Sequence, residues 1–138
     1  MRFSTVKRKE VEKRAKNLCE YCLCRQDHSP QPFSVEHIFP KSKNGSDELA
    51  NLALACQACN NFKYTKTEAV DPLSRQKVPL YNPRKDNWTE HFTWNNDFTE
   101  IVGVSPTGRA TIKTLKLNRE SVQNLRRSLY LVGKHPPK

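Results

Sequence analysis

An α+β fold is predicted for this 138-residue chain by three features of its sequence. Amphipathic helical patterns lie near both ends, short strand-length runs lie between them, and two Cys-x-x-Cys pairs can staple a lean core. Only 36% of the residues are hydrophobic while 28% are charged, so apolar burial alone offsets chain entropy poorly. No stretch approaches the ~20 apolar residues of a membrane-spanning helix, and Met1, Arg2, Phe3 and Ser4 lead straight into charged sequence. The expectation is a cytoplasmic protein with no membrane partner. In that reducing setting, paired cysteines read as metal ligands or redox groups before disulfides.

Val11, Ala15 and Leu18 share one helical face amid charged residues, with Ser4 or Thr5 as a cap, which predicts a basic helix over residues 5–17. Residues 19–24 form a cysteine knuckle, residues 25–32 a polar loop, and residues 33–39 a short strand stopped by Pro40. Asn44-Gly45 marks a turn, and Leu49, Leu52 and Leu54 anchor the approach to the second cysteine pair. A helix is expected from about Ala58, carrying Asn60, Lys63 and Lys66, and breaking near Asp71-Pro72. That break divides the chain into a metal-bearing module at residues 1–72 and an extension at residues 73–138 packed on it.

In the extension, residues 79–88 read as a proline-punctuated linker and residues 92–104 as a hairpin turned at Asn95-Asn96-Asp97. Another strand is expected after a Pro106-Thr107-Gly108 turn. Val122, Leu125, Leu129 and Val132 then predict a closing helix capped by Asn118 and stopped by Gly133, with Arg126 and Arg127 projecting from its polar side. Trp88, Phe92, Trp94 and Phe98 form either a small core, the default, or a base-stacking platform.

The formal charge of +10 is concentrated at the ends: residues 1–16 carry seven Lys/Arg against two acids, and residues 109–138 carry eight against one. Basic arms on a near-neutral centre suit a phosphate backbone, although solubility charge reads the same way. Lys63, Lys66, Arg126 and Arg127 are the candidate nucleic-acid contacts, with a solvated surface lysine as the other reading of Lys63.

Cys19, Cys22, Cys56 and Cys59 supply two thiolate pairs able to converge on one tetrahedral Zn²⁺. A redox site wants one such pair beside a βαβ pattern, which is not evident here. The 33 residues between the knuckles, 23–55, exceed ordinary zinc-ribbon spacing, so a functional insert is expected there. Cys24 is a spare that either substitutes for a ligand or stays a half-buried thiol.

Within the insert stand Ser34-Val35-Glu36-His37-Ile38-Phe39-Pro40 and Asn51-Leu52, followed by Cys59-Asn60-Asn61-Phe62-Lys63 in the second knuckle. Phosphodiester cleavage needs an activated water, a cation on the phosphate oxygens and a stabilised leaving group. Histidine, with an ordinary pKa near ~6.5, is suited to take the proton, and His37 is the candidate general base. Adjacent strand residues point to opposite sides, so Glu36 and His37 share a centre only at a twist or a strand end.

Over residues 19–66 the arrangement resembles the HNH, or ββα-metal, nucleases. The resemblance implies that Glu36 and Asn60 hold a catalytic divalent ion while Asn51 fastens the loop and orients His37. It also implies DNA as partner and cleavage to a 5′-phosphate and a 3′-hydroxyl. Two departures stand out: Glu36 where Asp is frequent and Asn60 where His is frequent. Hard oxygen donors of this kind favour Mg²⁺ or Mn²⁺. The expectation is therefore an HNH endonuclease, with double-strand cutting if two copies form a homodimer. The alternatives are a non-catalytic zinc-stapled nucleic-acid-binding module and a zinc-held protein-interaction domain, neither of which needs Glu36, His37 and Asn60 together.

Overall fold

The computed structural model describes residues 3–138; Met1 and Arg2, part of the basic leading run, lie outside the described residues. Five α-helices and six β-strands follow one another among these residues, with three short 3-10 turns between them, and the three sheets are antiparallel two-stranded ribbons.

Helix α1 spans Thr5–Arg14, three residues shorter than the predicted 5–17, because Lys16 and Asn17 take left-handed backbone conformations that end it. The Ser4 hydroxyl accepts the Lys7 amide at 3.1 Å, satisfying a free N–H of the first turn. Val11 and Ala15 face the core. Several of its cations bind the chain itself: Arg8 donates to the Phe33 carbonyl at 2.8 Å, Arg14 to Leu52 at 2.7 Å, and Lys7 to Asp47 at 2.9 Å. Part of the basic leading run thus fastens the helix to the insert.

The first knuckle leads to β1 (Ser34–His37), paired with β2 (Leu52–Ala55) in the register Ser34 with Ala55 and His37 with Leu52. All four residues of β2 are buried, which explains why they are uniformly apolar instead of alternating. Helix α2 (Gln57–Lys63) follows at once, completing a ββα unit. It starts at Cys56, whose sulfur accepts the Cys59 amide at 3.4 Å.

Strands β3 (Glu68–Val70) and β4 (Lys77–Pro79) form a hairpin that the sequence reading lacks. Its loop contains residue 72, so strand pairing crosses the boundary expected between the two parts. The Asp71 side chain caps this loop by accepting the amides of Leu73 and Ser74, and it pairs in a two-point fork with Arg109, both contacts at 2.9 Å. Residues 79–88 are therefore not a plain linker: Pro79 ends a strand, and α3 (Trp88–His91) begins where the linker was expected to end.

The hairpin expected over residues 92–104 is present as β5 (Phe92–Trp94) and β6 (Ile101–Gly103). The Asn95 side chain organises the turn by accepting the amides of Thr99 and Glu100. The strand expected after residues 106–108 is instead α4 (Pro106–Leu115). Ser105 accepts the Gly108 amide at 2.9 Å and Pro106 occupies the first turn, a helix start rather than a β-turn. Gly108 packs so closely on the His91 carbonyl that an added Cβ would lie 2.0 Å from its oxygen.

Helix α5 (Glu120–Leu131) closes the chain, with Gly133 at φ +74° beyond it. Asn118 is not its cap. Its side chain instead bonds both the amide and the carbonyl of Ile101 at 2.8 Å, joining β6 to the helix entrance. Trp88, Phe92 and Trp94 pack ring against ring at 5.5–5.6 Å, and Phe98 stacks on Tyr130, so these aromatics serve packing.

One continuous core runs from Val11 through Leu52 and Leu54 to Phe92, Leu115 and Val122, so both parts of the chain share it. No helix among the described residues is long and apolar enough to cross a membrane.

The Arg109 guanidinium beside Asp71 holds that carboxyl well below the usual carboxylate range. Stability drawn from the pair is therefore present above the ordinary aspartate pKa of ~4 and is lost as pH falls through the lowered folded value. Asp71→Asn is expected to lower the melting temperature at neutral pH and flatten its decline in acid. An unchanged melting curve from pH 7 down to ~3 would refute this role.

Candidate functional site

Two centres share the ββα unit, and α2 belongs to both. At its start, Cys56 and Cys59 meet Cys19 and Cys22 of the first knuckle, all four sulfurs lying within 4.8 Å of one another. Four thiolates at ~2.3 Å from one zinc stand roughly 3.8 Å apart, and Cys22 and Cys56 are separated by 3.7 Å. The donor set and its spread fit a tetrahedral zinc. Cys24 is half-buried beside the cluster, its sulfur 3.2 Å from that of Cys22.

Knuckle geometry is built from backbone. The Cys22 amide points to the Cys19 sulfur at 3.5 Å, and the Leu23 amide bonds the Cys19 carbonyl at 2.9 Å, with Leu23 left-handed at φ +64°. Such amide donors stabilise thiolate over thiol.

The second centre is an open cleft lined by Glu36, His37, Lys41, Asn60 and Tyr64, among others. His37 ends β1 with its Nε2 2.7 Å from Asp47 Oδ1, and the Phe3 ring lies 5.4 Å away. Asp47 also receives the Lys41 ammonium at 2.9 Å. Lys41 and His37 together hold the Asp47 carboxyl below its ordinary range. With Nε2 donating to this carboxylate, the His37 Nδ1 is the nitrogen left to accept a proton.

Asn51 fastens the loop that carries Asp47. Its Oδ1 accepts the Phe39 amide at 2.9 Å, while its Nδ2 donates to the carbonyls of Phe39 and Ser46 at 3.0 and 2.8 Å. Gly45 lies against the Phe39 carbonyl where a Cβ would stand 1.6 Å from the oxygen, so only glycine permits the close turn.

Glu36 points inward and is 5% exposed. One carboxylate oxygen lies 3.2 Å from the Lys63 ammonium and the other accepts the Tyr21 hydroxyl. Burial pushes the Glu36 carboxyl up, while Lys63 and Tyr21 oppose that shift. These two contacts leave further lone pairs on the carboxylate, and Asn60 lines the same cleft.

Two expected nucleic-acid contacts are corrected by their burial. Lys63 is 1% exposed and donates to the Ile38 carbonyl at 2.9 Å, because the last turn of α2 packs on β1. Arg126 is 2% exposed and bonds the carbonyls of Thr99 in the hairpin turn, Leu117 before α5 and Cys22 in the first knuckle, three segments that meet beneath α5. Lys66 and Arg127 are exposed.

Asp47 and Tyr21 are the site residues that sequence reasoning passed over. Asp47 carried a signal, being an acid in the loop between His37 and Asn51. Tyr21 looks like any knuckle residue until the fold sets it under Glu36.

Residues 19–66 match the family model described as HNH endonuclease. The chain is also similar to the Septu protein PtuB of Bacillus thuringiensis, 31% identical over 105 residues. That match covers 75% of this chain and 37% of the relative, so the chain spans little more than a third of the protein it resembles. No solved structure matches it significantly.

Proposed function

Residues 19–66 being an HNH endonuclease-family domain, we propose that the protein is a metal-dependent endonuclease hydrolysing DNA phosphodiester bonds, with His37 as its general base. The observation that carries this reading is the hydrogen bond from His37 Nε2 to Asp47 at 2.7 Å on the wall of a cleft that Glu36 and Asn60 also line. A histidine so held presents Nδ1 to a water while the carboxylate steadies the positive ring that proton transfer creates.

Glu36 and Asn60 would hold a Mg²⁺ or Mn²⁺ ion, which supplies positive charge to the phosphate oxygens when bound. Asn51 keeps the loop closed so that Asp47 stays against the histidine. The four cysteines would hold Zn²⁺, and that would fix the start of α2 and with it the position of Asn60. Exposed Lys41 and Lys43 on the loop, Lys66 beyond α2 and Arg127 on α5 are the proposed backbone contacts, binding without regard to sequence. A single copy carries one cleft and would nick; paired copies would cut both strands.

The second reading, a zinc-stapled module that binds DNA without cutting it, is favoured by one observation: Lys63 and Tyr21 already engage both oxygens of Glu36. Incubating the zinc-loaded protein with supercoiled plasmid separates the two. Relaxed or linear product with Mg²⁺ or Mn²⁺, suppressed when those ions are omitted, supports the nuclease. Intact plasmid beside a clear mobility shift, across both metals, would leave the binding module.

A further inference from the structure

Arg119 lies far from the cysteines in sequence, yet its guanidinium is spread across them. Nη2 stands 3.4 Å from the Cys56 sulfur and 4.0 Å from that of Cys22, and Nη1 stands 3.7 Å from that of Cys59. The group is held there independently of the sulfurs. Nη1 also donates to the Lys116 carbonyl at 3.1 Å, and the Phe62 ring lies 5.8 Å from the guanidinium carbon.

Four thiolates around Zn²⁺ carry a net charge of about −2, and burying uncompensated charge is costly. The cysteines are almost wholly buried, the most open of them being Cys56 at 7% exposure. A planar fork with several N–H groups can face three sulfurs at once, whereas an ammonium is a point charge.

We propose that Arg119 is an outer-sphere component of the zinc centre, offsetting the charge of the tetrathiolate and latching the C-terminal part of the chain onto it. This rests on the reading of the cysteine cluster as a zinc site. Arg126 secures the same junction from the backbone side through the Cys22 carbonyl at 3.1 Å. Undocking of α5 then withdraws a positive charge that offsets the tetrathiolate, and it is expected to speed metal loss.

The test is the rate at which zinc is lost to excess EDTA, followed with a colorimetric zinc indicator, in the full chain and in Arg119→Met, Arg119→Lys and Lys113→Met. Partners around a metal's own ligands are typically worth about 10–100-fold in affinity. The Met variant is expected to lose zinc at least ~10-fold faster than wild type, the Lys variant at an intermediate rate, and the surface control Lys113→Met at the wild-type rate. Faster cleavage by trypsin between residues 116 and 138 should accompany the loss. Wild-type release by Arg119→Met overturns the proposal. Should the Met variant not fold, wild-type release by Arg119→Lys overturns it equally. Wild-type protein that holds no zinc at all sinks the metal reading itself, and this inference with it.

Discussion

His37→Ala is expected to lower metal-dependent plasmid cleavage by about 10²–10⁴-fold, the usual worth of a positioned general base, while changing DNA affinity little. The asymmetry follows from the geometry. The ring is held against Asp47, and its loss removes a proton acceptor without removing any of the exposed lysines. Asp47→Asn gives a second, graded arm of the same experiment. It keeps a side chain of the same shape that can still accept from His37 through Oδ1, but it replaces the charge-assisted hydrogen bond with a neutral one and gives up the Lys41 ion pair on the exposed side. A hydrogen bond to a charged group is worth roughly 1.5–3 kcal/mol, which translates to a loss of about 10–100-fold in kcat. Single-turnover cleavage measured alongside fluorescence anisotropy checks both. Retention of full activity by His37→Ala would remove the histidine from the chemistry, and equal losses of binding and cleavage would place it in the DNA interface instead.

Stripping the zinc, or substituting Cys56 by Ser, is expected to unfold the ββα unit and abolish activity together. Zinc in small cysteine sites contributes about 10–16 kcal/mol, as much as the ~5–15 kcal/mol net stability of a whole domain. In this chain the four cysteines are part of the continuous buried core, alongside Tyr21, Leu52 and Leu54, so losing the metal that holds them would open that core from within. Circular dichroism before and after chelation should show loss of helix signal and of the cooperative thermal transition, both restored by added Zn²⁺ and not by Mg²⁺. A chelated protein that melts at the wild-type temperature would mean the apolar core suffices.

Much of this arrangement was legible in the sequence because its signals are local. Cysteine spacing, the Ser34–Pro40 run and the helical stripe near Val11 each depend on residues within a few positions of one another. The misreadings came where local rules gave two answers. Pro106-Thr107-Gly108 fits a turn as well as it fits the first turn of a helix, and only the apolar positions Ala110, Ile112 and Leu115 behind it favour the helix. Asn118 is a good cap by composition, yet the backbone groups of Ile101 take its side chain. Lys63 and Arg126 show the sharper limit. Charged residues are read as surface by default, and what buries them here is a set of carbonyls most of which come from chain segments 25 or more residues away. Asp47 was missed for the same reason, because its value lies in distance to a ring and not in any pattern.

Cys59 and Asn60 are neighbours on α2, so the residue that completes the sulfur cluster immediately precedes one that lines the cleft. Under the proposed nuclease reading, this adjacency would act as a maturation checkpoint: a chain that had not captured zinc would lack a placed Asn60 and could not cut, so zinc loading would set how much of the protein is armed.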